Sequence, residues 1–226
     1  MNIISNKDWG MTITAPLQRL NLARVDAIAL HHMAHPTADV YDVQRWHLNQ
    51  GWRALGYHYW VGFDGTVYEG RGYEHVGAGV ANQNDHIISI GFQGNYQSDV
   101  AGMVTSPPMP DAQFNAGVDI INWVMEHVPT IKRVAGHRDF MATACPGDTF
   151  PLAEMQTLKK RMSDTPGEEG DTMIYNYVDE NMPEWARGTI QKLMDNGYLQ
   201  GDENGALGLN DTMLRLLVIN DRAGLY

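Results

Sequence analysis

Four stretches of strand character, one of them a pair of runs, constrain the fold of this 226-residue chain more than any other feature. They are "VDAIALHH" (25–32), "YHYWVGFDGTVYEGR" (57–71), "HIISIGFQG" (86–94) and "IKRVAGHR" (131–138). Runs this short and rich in branched and aromatic residues read as strands. Between them, Thr37 reads as the cap of a helix running to about residue 49, with Val40, Val43 and Trp46 on one face. From Asp111 to Val128 the residues Phe114, Val118, Ile121, Met125 and Val128 recur at helical spacing, and Pro129 ends that helix. Strands that alternate with helices predict a layered α/β domain.

Within 57–71 the two β-rich runs flank Asp64-Gly65, which predicts a hairpin closed by a type I′ turn. Alternation along its first strand would place Tyr57, Tyr59, Val61 and Phe63 on one face and His58 and Trp60 on the other.

Residues 163–171, "SDTPGEEGD", are rich in proline, glycine and acids, have no periodicity and read as a linker. Charge changes across them: residues 1–162 hold 15 acids and 12 bases, a net of −3, and residues 163–226 hold 12 acids and 4 bases, a net of −8. The expected division is a domain over 1–162, a linker over 163–171 and a small helical region over 172–226. In the last region, Trp185, Ile190, Leu193 and Met194 mark one helix stopped by Gly197; Asn210 caps a second that Gly224 ends. A total formal charge of −11 argues against nucleic acid as a partner, since phosphate backbones require clustered Lys and Arg. Nowhere do eighteen apolar residues run together, so no membrane span is expected. The amino-terminal stretch lacks a basic segment followed by an apolar one, so synthesis in the cytoplasm without a signal peptide is expected.

Of the nine histidines, most should be surface residues or satisfied core residues, but His31 and His137 each stand at the end of an apolar strand. Ligands gather at strand ends in α/β sheets. The only cysteine, Cys145, follows His137 by eight positions and precedes Pro146 and Gly147. Two imidazoles and a thiolate would make a three-ligand zinc set with one position open to water. Spacing alone does not bring His31 to the other two, and alternation does not choose between His31 and His32, because both faces of their strand are apolar.

"ALHHMAH", "GWRALGYHYWVGFDGTVYEGRG", "HVGAG" and "GHRDFMATACPGD" in this order resemble the zinc-dependent N-acetylmuramoyl-L-alanine amidases, a family that includes phage lysins and animal peptidoglycan-recognition proteins. The resemblance covers about residues 23–162 and implies a central mixed β-sheet flanked by helices. It implies Zn²⁺ held by His31, His137 and Cys145, the first histidine of the doublet being the ligand. It further implies catalytic roles for Tyr57, in "GYHY", and Thr143, two residues before Cys145. Where some relatives carry a glutamate as general base, this chain has Gly91 or Gln93, neither of which takes a proton. His32 and His35 are the remaining candidates for a proton relay or for structural support.

The implied activity is hydrolysis of the amide between N-acetylmuramic acid and L-alanine by zinc-activated water. The implied partner is bacterial peptidoglycan, and a phage or prophage endolysin acting at the cell wall after release is the expected context. The alternatives are a peptidoglycan-binding module without catalysis and a thiol hydrolase using Cys145 and His137. For the acidic tail, which weakly resembles one surface-layer-homology-like unit, wall binding and packing or self-association into a homo-oligomer are both open.

Overall fold

Six strands pair in one mixed sheet among the described residues of the computed structural model, which are 1–98, 102, 104–161 and 174–226. They are β1 (Ile3–Ile4), β2 (Ala27–His32), β3 (Tyr59–Val61), β4 (Val67–Glu69), β5 (Ile87–Phe92) and β6 (Arg133–Gly136). Their order across the sheet is β1-β4-β3-β5-β2-β6, with β3 and β4 antiparallel and every other neighbouring pair parallel. The helices are α1 (Val40–Asn49), α2 (Asp111–His127), α3 (Leu152–Met155), α4 (Glu184–Asp195) and α5 (Asp211–Arg222). The chain divides into two units, Met1–Met162 and Ser163–Tyr226. The expected linker, 163–171, lies outside the described residues.

The two faces of the sheet carry side chains of different size. Ile28 and Leu30 of β2 and Ile88, Ile90 and Phe92 of β5 pack with Phe114, Val118 and Ile121 of α2 in the main core. Each such side chain, fully buried, stabilises the fold by about 1.5–3 kcal/mol. On the opposite face the same strands present Ala27, Ala29 and His31 beside Ile87, Ser89 and Gly91. Parallel register aligns Ala29 with Ser89 and His31 with Gly91, so small residues leave a shallow floor there.

Some local readings change. Asp39, not Thr37, caps α1: its carboxylate accepts from the Asp42 amide while the Asp42 carboxylate accepts from the Asp39 amide. The hairpin turn is not type I′, because Asp64 is not left-handed and only Gly65 is, at φ 82°. Gly62 pairs with Thr66 around a three-residue loop, and the Asp64 carboxylate accepts from the Thr66 amide. Regular pairing begins at Tyr59, so the alternation does not extend back to Tyr57. Tyr59, Val61 and Phe63 join the α2 core as expected, but Tyr57 packs on the other face with Trp60 and Leu55.

The second unit is built from α4 and α5 around Met182, Ala186, Ile190, Leu193, Leu214 and Val218. The Asn210 side chain caps α5 by accepting from the Met213 amide, and Gly197 is left-handed just past α4. Thr189 and Lys192 of α4 both bond Asp221 of α5, at 2.8 and 2.5 Å.

His58 is wholly buried and fully bonded. Its Nδ1 accepts from the Ser89 amide at 2.8 Å, and its Nε2–H donates to the His75 carbonyl at 2.9 Å. Burial lowers its pKa to about 4. The unfolded chain, with an ordinary histidine, takes up this proton first as pH falls, so stability is lost between about pH 6.5 and 4, by about 3 kcal/mol. Thermal unfolding from pH 7 to 4 should therefore show a smaller fall in Tm for His58→Gln than for the wild-type chain. Equal falls would assign the acid sensitivity to other groups.

Candidate metal centre

The last paired residues of β2 and β6 are Leu30 and Gly136, so the residues that follow, His31 and His137, emerge side by side at one end of the sheet. Their ring centroids are 4.5 Å apart. His137 opens a short 3-10 turn, His137–Asp139, whose Asp139 carboxylate accepts from the Gly136 amide at 2.8 Å. The chain then loops back through Cys145. The Arg138 amide donates to the Cys145 carbonyl at 2.8 Å, and its Nη1 donates to the Gly147 carbonyl at 3.0 Å, which fastens this loop to the turn carrying His137. The Cys145–Pro146 peptide is cis. Gly147, at φ 104°, lies so close to Tyr96 that a Cβ would stand 2.1 Å from its carbonyl oxygen. Glycine at 147 thus answers a backbone requirement.

One potential ligand atom from each of His31, His137 and Cys145 lies within 4.8 Å of the others. His31 Nδ1 stands 3.8 Å from Cys145 Sγ, near the about 3.6 Å that nitrogen and sulfur keep on one tetrahedral zinc. Among the described residues, the buried side-chain polar atoms with no hydrogen-bond partner are His31 Nε2, His137 Nε2 and Ser89 Oγ. Most buried polar groups are paired, so three unpaired atoms here mark unfinished chemistry. His31 is held neutral chiefly by burial and then by the nearby His137 and other histidines; His137 is lowered by burial. Both imidazoles therefore offer a lone pair at neutral pH. Burial pushes the Cys145 thiol up to about 12, against the weaker pull of the His32 amide and Arg138. Without a cation this thiol keeps its proton, which suits a ligand deprotonated by a metal and not a nucleophile activated in advance. The donor set fits zinc.

Tyr57 lies against the same site, its ring centroid 5.1 Å from that of His31. Gly91 makes the space: a Cβ there would stand 2.9 Å from Tyr57 Cδ2. Burial, and then the cysteine nearby, raise the Tyr57 pKa, so the phenol stays a donor at neutral pH. Thr143 is exposed, and its Oγ1 accepts from the Cys145 amide at 3.3 Å, leaving the hydroxyl hydrogen free to donate.

The other candidates make structural bonds. His32 Nδ1 accepts from the Tyr96 amide, and His35 Nδ1 accepts from the amides of Thr37 and Ala38. Gln93 accepts from the Phe63 amide and donates to the Thr37 carbonyl. Sequence reasoning passed over Arg138, whose role in fastening the loop depends on contacts with Cys145 and Gly147 that no motif displays.

Several known proteins resemble this chain in sequence or in fold. A family model described as N-acetylmuramoyl-L-alanine amidase matches residues 21–148. Peptidoglycan-recognition protein SC2 of Drosophila melanogaster is 29% identical over 157 residues, which are 65% of this chain and 81% of that protein. The N-acetylmuramoyl-L-alanine amidase of Sus scrofa is 34% identical over 118 residues, 50% of this chain and only 18% of that protein. The structure of the N-acetylmuramoyl-L-alanine amidase LysC from Clostridium intestinale URNW aligns with a TM-score of 0.59 at 23% identity, over 70% of this chain and 96% of that one, a likeness of fold.

Replacing the thiol tests the donor set directly. Cys145→Ser, purified alongside the wild-type chain, should lose stoichiometric zinc, because a neutral hydroxyl is a poor ligand at pH 7. Zinc retained one to one by the variant would remove Cys145 from the set.

Proposed function

The chain belongs to the N-acetylmuramoyl-L-alanine amidase family, and from that premise we propose that its first unit is a zinc-dependent peptidoglycan hydrolase. It would cut the amide that joins N-acetylmuramic acid to L-alanine. The observation that carries the reading is the convergence of His31, His137 and Cys145, with one potential ligand atom of each within 4.8 Å of the others. A module that only bound its ligand would not need all three groups in place. The raised thiol pKa weighs against the thiol-hydrolase alternative.

His31 and His137 would hold the ion through neutral nitrogens and Cys145 through its thiolate. Bound there, zinc supplies a Lewis acid and a water acidic enough to attack near neutral pH. The chain's own residues supply the remaining polarity. Tyr57, protonated and fixed over Gly91, is placed to donate to the oxygen that gains charge as the amide carbonyl becomes tetrahedral. Thr143 can add a second, uncharged donor from the cysteine loop. The buried floor beneath the site, formed by Ala29, Ser89 and Gly91, keeps bulk water from that side and strengthens these dipoles. Gln93 and Gly91 take no proton, so neither serves as a general base.

The second unit would serve attachment to the wall or self-association, since every residue assigned to the chemistry lies before 162. A lysin role adds that isolated bacterial walls lose turbidity when the protein is added.

Measured zinc content, together with analysis of the bond cut in digested peptidoglycan, tests the whole reading; chelator should abolish activity and zinc restore it. Tyr57→Phe should keep its zinc but turn over on the order of 10²-fold more slowly, as for the loss of one oxyanion donor. A near wild-type kcat in the zinc-loaded variant would remove Tyr57 from the mechanism. A chain ending at Met162 should fold and hydrolyse small soluble muropeptides at close to the full-length rate, yet act more slowly on intact walls. Equal rates on walls would refute the attachment role, and an unfolded product would refute the two-unit division.

A further inference from the structure

Tyr57 lies two residues ahead of β3, so regular strand pairing does not fix it. Its backbone is held instead by Arg71, two residues past β4. The Arg71 amide donates to the Tyr57 carbonyl at 3.0 Å, and its Nε donates to the Leu55 carbonyl at 2.7 Å. One residue therefore bonds the carbonyls on both sides of Gly56. Gly56 is bonded as well, its amide to His47 Nδ1 at 3.0 Å and its carbonyl to the Ala78 amide at 2.8 Å. Arg71 Nη1 donates to the Val76 carbonyl at 2.9 Å, which ties the loop bearing Ala78 to the same guanidinium.

Two glycines permit this close approach. A Cβ at Gly70 would stand 2.2 Å from the Tyr57 carbonyl oxygen, and one at Gly56 would stand 2.4 Å from the Trp52 ring. Arg71 is itself buried, and among the described residues no carboxylate pairs with it. A buried charge held only by carbonyls is expensive to keep, and an apolar side chain could fill similar volume without that cost. What the guanidinium adds is direction, because its planar fork bonds two carbonyls at fixed angles.

The Tyr57 ring stands 5.1 Å from that of His31, in the room that Gly91 leaves. A shift of the peptide that carries the ring moves the phenol with it, and a misplacement of about 1 Å can cost on the order of 10²-fold in rate. We infer that Arg71 is the positioning residue for Tyr57: by bonding the Leu55 and Tyr57 carbonyls at once, it holds the peptide around Gly56 so that the phenol stays beside His31. The inference rests on the catalytic reading of Tyr57 for its purpose, but the placement is a property of the metal-free chain.

Two measurements on the full chain test the assignment. In the metal-free protein, ¹³C NMR of ring-labelled tyrosine should show the Tyr57 signal, identified by its loss in Tyr57→Phe, displaced by the His31 ring. In Arg71→Met that signal should move toward those of exposed tyrosines. In the zinc-loaded enzyme, Arg71→Met should lower kcat about 10- to 10²-fold, with KM and zinc content near wild type. Added to Tyr57→Phe it should cost less than about twofold more, because the group it positions is already gone. A purely structural Arg71 would lower Tm, leave the Tyr57 signal in place and add its full loss to that of Tyr57→Phe. Should Arg71→Met not fold, Arg71→Lys, which keeps the charge but reaches only one carbonyl, carries both readings. An unmoved signal, or additive losses in kcat, overturns the assignment. If Tyr57→Phe itself turns over at the wild-type rate, the catalytic reading of Tyr57 falls; a moved signal then still supports the placement, and an unmoved one still overturns it.

Discussion

The site depends on the parallel pairing of β2 between β5 and β6. Because the pairing of β2 with β6 ends at Leu30 and Gly136, the residues just past that pair, His31 and His137, meet although 105 residues lie between them. An antiparallel pairing, or a slip by one position, would send one histidine elsewhere, since each step along a strand reverses the side-chain direction. The apolar weight of the other face protects the register. Ile28 and Leu30 fill the α2 core, so any slip would drive His31 into it and Leu30 out.

What the site gains from that face is depth. Alanines on β2 and Ser89 and Gly91 on β5 remove bulk where Tyr57 and the histidines need room. The surrounding histidines divide by their bonding. His58 and His47 use Nδ1 to accept backbone amides, from Ser89 and Gly56, and are structural. His31 and His137 keep buried nitrogens without protein partners. Burial holds all four in the neutral form, so the same physics that makes the first pair part of the core leaves the second pair able to bind a cation.

Burial also raises the Cys145 thiol to about 12, so uptake of a cation must displace a proton and grows stronger as pH rises. The loop that carries the cysteine is arranged around this cost. Arg138 ties it to the His137 turn, and Gly147 lets it lie against the backbone of Tyr96. The positions of sulfur and nitrogen are thereby set by the fold in advance.

By itself the sequence determined the alternation of strands and helices, the limits of α2, the cap of α5, and which side chains carry donor atoms suited to a metal. These are local matters: a period of 3.6 or 2, a proline, an asparagine before a helix. The same reasoning missed where it extended a period past its element. Alternation assigns Tyr57 to the face of Tyr59, but pairing starts at Tyr59, and Tyr57, two residues earlier, packs beside His31. The choice between His31 and His32 was equally closed to pattern, since both faces of β2 are apolar and only their packing differs. Tertiary structure brings His31 beside His137 and Cys145, while His32 Nδ1 accepts from the Tyr96 amide. The reason is physical: ligand convergence is set by the register between strands far apart in the chain, and no window along the sequence contains it.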